Sequence, residues 1–95
     1  MYTIYGKPDC PYCERAKELL KSKWLDFEYF DVVKDSGKFA EMIGKVVDRI
    51  GTRPRTVPQI FSPEGEYIGG YEDLHSTFVS KAVINDLEDF DEFSL

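Results

Sequence analysis

The chain has 95 residues, 42% hydrophobic and 15% aromatic, with 12 lysines and arginines against 18 aspartates and glutamates for a net charge of −6. That length suits one compact core rather than two domains, and the apolar content excludes a disordered chain while the 32% charged fraction keeps the folded domain in solution. The acid is placed late, residues 1–60 carrying 11 basic and 9 acidic side chains and residues 61–95 carrying 1 and 9, which is the wrong sign for a nucleic-acid surface.

Tyr2 to Tyr5 alternates tyrosine with β-branched residues and predicts a first strand that ends in a turn at Gly6, with Lys7-Pro8-Asp9 as the following loop. From Pro11 the apolar residues Ala16, Leu19 and Leu20 recur at helical spacing among charged neighbours, predicting an amphipathic helix to about Lys23. Pro11 suits its first turn, where an N–H has no intrahelical partner to lose. Phe27 to Val33 predicts a second strand, parallel to the first because a helix joins them. Ser36 is a candidate cap for a second helix with an apolar stripe of Phe39, Met42, Ile43, Val46, Val47 and Ile50, closed by Gly51. Residues 57–61 and 66–69, joined by Ser62-Pro63-Glu64-Gly65, predict an antiparallel hairpin. Leu74, Phe78, Val79, Ala82 and Val83 supply a last helical face. The order β-α-β-α-β-β-α predicts an α/β domain over residues 1–85, a mixed four-stranded sheet with helices on both faces, followed by an acidic tail at 86–95 holding Phe90 and Phe93.

No apolar run approaches the ~18 residues a membrane span needs, and Met1 to Tyr5 lacks the charged and apolar parts of an export signal. A cytoplasmic protein is therefore expected. Its only cysteines, Cys10 and Cys13, would close too short a loop to stabilise the fold much as a disulfide, so the pair points to redox or metal chemistry. A zinc site needs two more ligands, for which the chain offers only His75 and carboxylates. An iron–sulfur cluster shared between two chains is the other metal reading, and inert buried thiols are a third.

Redox chemistry fits the placement best. One helical turn separates the sulfurs, with Cys10 at the helix N-terminus and Cys13 inside it, so free N–H groups, the positive end of the helix dipole and nearby Lys7 all favour a Cys10 thiolate. Lowering a thiol pKa from ~8.5 to ~6 raises its thiolate fraction at pH 7 about 30-fold, but a Brønsted slope of ~0.4–0.5 returns roughly 10- to 20-fold of that in lost nucleophilicity. The larger gain comes when Cys10 is expelled as a leaving group.

Three blocks in order, Cys10-Pro11-Tyr12-Cys13, Thr56-Val57-Pro58 and Gly69-Gly70-Tyr71-Glu72-Asp73, make the chain resemble a dithiol glutaredoxin of the thioredoxin superfamily over about residues 2–84. Thioredoxins proper are less similar, carrying Trp before the first cysteine and Gly-Pro between the two. The resemblance implies a thioredoxin-like fold, a cis Pro58 facing the cysteines, and a Val57 backbone free to pair with glutathione as an added strand would. It further implies that Thr56 and Tyr12 flank the tripeptide and that Lys7 meets its glycyl carboxylate. N–H groups around Gly70, Tyr71 and Glu72 would hold the γ-glutamyl carboxylate, and Asp73 the amine. Glu72 stands where many relatives have Ser or Thr, and its charge opposes that carboxylate.

The expectation is thus a monomeric oxidoreductase with catalytic Cys10 and Cys13, no permanent cofactor, glutathione as reductant, and disulfide-containing or glutathionylated proteins as substrates. Ribonucleotide reductase is a substrate the family suggests but no residue here selects. An iron–sulfur cluster module, which Pro11 disfavours by the same resemblance, and a glutathione-independent thioredoxin-like reductase are the alternatives.

Overall fold

The computed structural model describes the backbone of residues 1–86 and the side chains of residues 1–78. The acidic tail beyond Asp86 and the side chains of Val79, Ala82 and Val83 lie outside the described residues.

Strands β1 (Tyr2–Gly6), β2 (Phe27–Asp31), β3 (Gln59–Phe61) and β4 (Tyr67–Gly69) form one sheet in the order β2-β1-β3-β4. β1 runs parallel to β2, with Tyr2 opposite Phe27 and Gly6 opposite Asp31. It runs antiparallel to β3, with Ile4 opposite Ile60, and β3 continues antiparallel to β4. Helices α1 (Pro11–Ser22), α2 (Ser36–Ile50) and α3 (Tyr71–Asp86) cover both faces, the mixed α/β architecture expected of a thioredoxin-like fold.

The period-two alternation of β1 sorts the core into two layers. Ile4 points to one face, where it is buried with Ile60 against Ala16 and Leu20 of α1 and Leu74 of α3. Tyr5 points to the other, packed with Phe61 against Met42 and Val46 of α2. Burying Tyr5 requires a partner for its hydroxyl, which donates to the Glu41 carboxylate and accepts from Lys45 Nζ at 3.1 Å.

Local chemistry moves several element ends. Gly6 is paired within β1 and is not the turn that followed from the sequence. β2 stops at Asp31, two residues early, because the Asp31 carboxylate accepts the N–H groups of Val33 at 2.9 Å and Lys34 at 3.0 Å and turns the chain off the sheet. Asp35, not Ser36, caps α2: its backbone is extended and its carboxylate accepts from Lys38 N–H at 3.0 Å, while Ser36 is the first helical residue. Gly51 ends α2 at φ 79°, its N–H reaching Val47 O at 2.8 Å. α1 ends differently: Lys23 caps it, and the left-handed residue that follows is Trp24 at φ 59°, with its side chain 94% exposed. The hairpin strands are shorter than expected: β3 starts at Gln59 because Pro58 has no N–H to give a ladder, and β4 starts at Tyr67 after Ser62 Oγ takes the Glu66 N–H at 3.1 Å. The apolar stripe of α2 is only partly core. Met42 and Val46 are buried, whereas Phe39, Val47 and Ile50 are exposed.

Candidate active site

Cys10 sits at the junction of the loop after β1 and helix α1. It is the N-cap, with extended backbone (φ −117°, ψ 101°), and Pro11 opens the helix behind it. In place of a capping oxygen, Cys10 Sγ accepts the Cys13 N–H at 3.2 Å, and Cys10 O takes the Glu14 N–H at 3.1 Å. The two cysteines are joined as a disulfide, with Cα atoms 5.2 Å apart. Cys10 is 7% exposed and Cys13 0%, so a reagent from solvent meets Cys10 first.

Gly6 lies directly beneath the pair: a Cβ there would come within 2.8 Å of Cys13 Sγ and 2.7 Å of the Tyr29 hydroxyl. That hydroxyl donates to Lys7 O at 3.1 Å and ties the loop before Cys10 to β2, while burial, and then the charges of Asp31 and Glu14, raise its pKa.

Three stretches distant in sequence meet around one groove of about 440 Å³: Tyr12 of α1, Thr56-Val57-Pro58 before β3, and Gly70 to Asp73 at the start of α3. That volume falls in the range of about 300–1,000 Å³ usual for small-ligand sites. The Val57–Pro58 bond is cis, and the Val57 carbonyl oxygen lies 3.8 Å from Cys10 Sγ. At the far wall, the Asp73 carboxylate reaches back to the Gly70 N–H at 3.1 Å, one half of a capping box. The first intrahelical bond of α3 runs from Leu74 N–H to Gly70 O, leaving the N–H groups of Tyr71, Glu72 and Asp73 without helical partners. Gly69 precedes them at φ 120°, where a side chain would collide with the Asp73 carboxylate. The Tyr12 and Tyr71 rings stand 6.0 Å apart across the groove.

Lys7 is the one predicted binding residue outside this groove. It is exposed and lines an adjoining hollow that shares Thr56 and Val57 with it. Two lining residues escaped the sequence reading. Gln59 is buried, donates to Thr56 O at 2.8 Å and accepts from the Tyr67 hydroxyl at 2.6 Å, so it pins the backbone around Pro58. The signal for it was a polar side chain inside the otherwise apolar run Val57 to Phe61. Burial, and then the charge of Asp73, raise the Tyr67 pKa. Among the described residues no group of three or more His, Cys, Asp or Glu side chains is placed to hold a metal ion.

The glutaredoxin family model matches residues 2–68. The glutaredoxin of Enterobacteria phage T4 is 34% identical over 86 residues, covering 82% of this chain and 99% of that one. Glutaredoxin 3 of Escherichia coli K12 is 41% identical over 73 residues, covering 77% and 80%. A dithiolic glutaredoxin of Trypanosoma brucei brucei superposes with a TM-score of 0.68 at 28% identity, covering 88% of this chain and 82% of that one. With a redox-active Cys10–Cys13 pair set in this fold, the chain is a thiol–disulfide oxidoreductase and belongs to the glutaredoxin family.

Proposed function

We propose that the protein reduces glutathionylated thiols and protein disulfides at the expense of glutathione, with Cys10 as the attacking sulfur and Cys13 as the resolving one. The observation that carries this reading is the unequal setting of the two sulfurs. Cys10 Sγ takes a backbone N–H at the helix start, which steadies negative charge there, while Cys13 is closed to solvent and reaches only Cys10.

In the reduced protein the Cys10 thiolate attacks the glutathione sulfur of a mixed disulfide, forming a Cys10–glutathione bond and expelling the substrate thiolate. A second glutathione thiolate then attacks the bound glutathione sulfur, releasing glutathione disulfide and restoring the Cys10 thiolate. On a protein disulfide, Cys10 forms a mixed disulfide and expels one substrate thiolate. Cys13 then attacks Cys10 Sγ, expels the other and leaves the Cys10–Cys13 disulfide. Two glutathione thiolates reopen that bond, the first at Cys10 with Cys13 as leaving group.

The groove supports glutathione as the reductant. It offers the edge of Val57 to the cysteinyl backbone, free N–H groups at Tyr71 and Glu72 to the γ-glutamyl carboxylate, and Asp73 to the amine, with Gly70 allowing close approach and Thr56, Pro58 and Tyr12 as walls. Lys7 flanks it from the next hollow, in reach of a ligand that extends past Thr56 toward its glycyl end. Glu72 opposes the γ-glutamyl carboxylate and weakens the fit. The reaction suits a reducing cytoplasm, and a single chain contains the whole site.

The test is a glutathione-coupled assay on a small glutathione mixed disulfide and on a protein disulfide. Cys10→Ser abolishes both activities, whereas Cys13→Ser keeps the first and loses most of the second. Equal loss of both in Cys13→Ser overturns the assigned roles, and turnover with thioredoxin reductase but none with glutathione overturns the choice of reductant.

A further inference from the structure

The redox groove continues. Past Thr56 and Val57, a hollow of about 380 Å³ runs between the exposed side of α2 and the segment before β3, with Lys7, Val33, Phe39 and Arg55 on its walls. It opens through Phe39, Pro54 and Arg55 into a further depression bounded by Ile43 and Arg53. Two features set this trough apart. Its apolar walls are uncovered, Phe39 being 42% and Val33 67% exposed, although a stripe of this kind on a helix is ordinarily core. Its cations are unpaired: among the described residues the ion pairs involve Lys17, Lys38 and Arg49, and neither Arg53 nor Arg55 is in one.

A chain of net charge −6 that places two arginines, unpaired among the described residues, beside exposed aromatic and aliphatic surface holds a local site of the opposite sign to the whole. In the reading above glutathione reaches past Thr56 toward Lys7, whereas Arg53 lines the further depression. On the reading above, on which this rests, we infer that the trough selects protein substrates: it docks a segment carrying Asp or Glu together with an aromatic residue beside the reactive cysteine. The aromatic ring packs on Phe39 and Ile43, and the carboxylates meet Arg53 and Arg55. No bond changes there. The trough adds affinity for the part of the substrate that leaves as thiolate when Cys10 takes the glutathione sulfur.

The test uses three synthetic heptapeptides, each with one glutathionylated cysteine. Their flanks hold Asp/Glu with Phe, Asn/Gln with Phe, and Asp/Glu with Ala, and the glutathione mixed disulfide of 2-mercaptoethanol is the small control. The full chain is expected to use the Asp/Glu–Phe peptide with kcat/KM about fivefold above the Asn/Gln–Phe peptide at low ionic strength, from two exposed charge pairs. That advantage shrinks at about 0.5 M salt, and the Asp/Glu–Ala peptide falls below the Phe peptide. Arg53→Gln/Arg55→Gln brings the charge preference, taken as the ratio of the acidic to the amide peptide within the same variant, to about one. Equal kcat/KM on the acidic and amide peptides in the wild type, or a preference that survives in the double variant, overturns the inference and leaves the oxidoreductase reading intact. If instead Phe90→Ser/Phe93→Ser in the full chain raises turnover of the acidic peptide several-fold, the trough is filled by the chain's own acidic segment, from the same or another copy, and the inference also fails. Absence of turnover on all four substrates would sink the parent reading and this one together.

Discussion

Replacing Gly6 with alanine tests how tightly the strand is packed under the cysteine pair. The added methyl carbon would stand 2.7 Å from the Tyr29 hydroxyl and 2.8 Å from both Cys13 Sγ and Tyr29 Cε1, against an ordinary separation of about 3.5–4.0 Å. Roughly an ångström of movement is needed. Neither neighbour gives easily: Cys13 is held in the first turns of α1 and bonded to Cys10, and Tyr29 is held by Lys7 O at its tip and by Lys17 Nζ 4.1 Å from its ring centre. Overpacking of this kind costs about 1–3 kcal/mol, and the stiffer unfolded chain returns about 0.4–1 kcal/mol. The expected net loss is therefore about 1–2 kcal/mol, a drop in Tm of roughly 5–15 °C for a domain of this size. Thermal and urea unfolding followed by circular dichroism measure it. A double-mutant cycle with Tyr29→Ala apportions it: if the ring is the main obstacle, Gly6→Ala costs clearly less in the Tyr29→Ala background than in the wild type. An alanine variant within about 0.5 kcal/mol of wild type in both backgrounds would refute the close approach.

Trp24→Gly is expected to stabilise the fold by up to about 1 kcal/mol, because glycine tolerates φ 59° and the 94% exposed indole gives up little packing; an unchanged or lower Tm contradicts this. The Glu41 carboxyl is held below its ordinary pKa chiefly by the Tyr5 hydroxyl and then by Lys38, so its contribution to stability is present above about pH 4.5 and is lost as pH falls through the lowered value. The stability gap between wild type and Glu41→Gln, read from urea melts, should accordingly be open at pH 7 and narrow as pH falls below about 4.5, and a gap that widens in acid refutes the linkage. Glu72→Thr should lower KM for glutathione about two- to fivefold at low ionic strength, with the effect fading in salt; no change in KM would place Glu72 away from the ligand carboxylate.

The parts of the molecule legible in the sequence are those in which a residue's own chemistry dictates its place. Pro11 marks the first turn of α1 and so puts Cys10 at the cap, and the spacing of Ala16, Leu19 and Leu20 gives the buried side of that helix. The blocks around Pro58 and Gly70 were found through family resemblance, and the fold brings them to one groove. The missed features depend on contacts between distant segments. Asp35 and Ser36 are adjacent and both good caps, so only the approach of the chain from Asp31 decides between them. Gly6 reads as a turn residue, yet the reason for glycine is Cys13 and Tyr29 above it. Gln59 and Tyr67 satisfy one another across the hairpin, a pairing that exists only once β3 and β4 are in register. The periodicity of α2 records which residues share a side, not how far the sheet beneath extends to cover them, and of that stripe Phe39, Val47 and Ile50 stay exposed.

The position of Trp24 has a practical consequence. It is the sole indole in the chain, and in the folded protein it already looks out almost entirely on water. Its emission colour and its accessibility to quenchers such as iodide should therefore hardly alter on denaturation, leaving this chromophore a poor witness to folding. An indole introduced at Phe61, buried beside Tyr5 and Tyr67, would supply the missing optical signal.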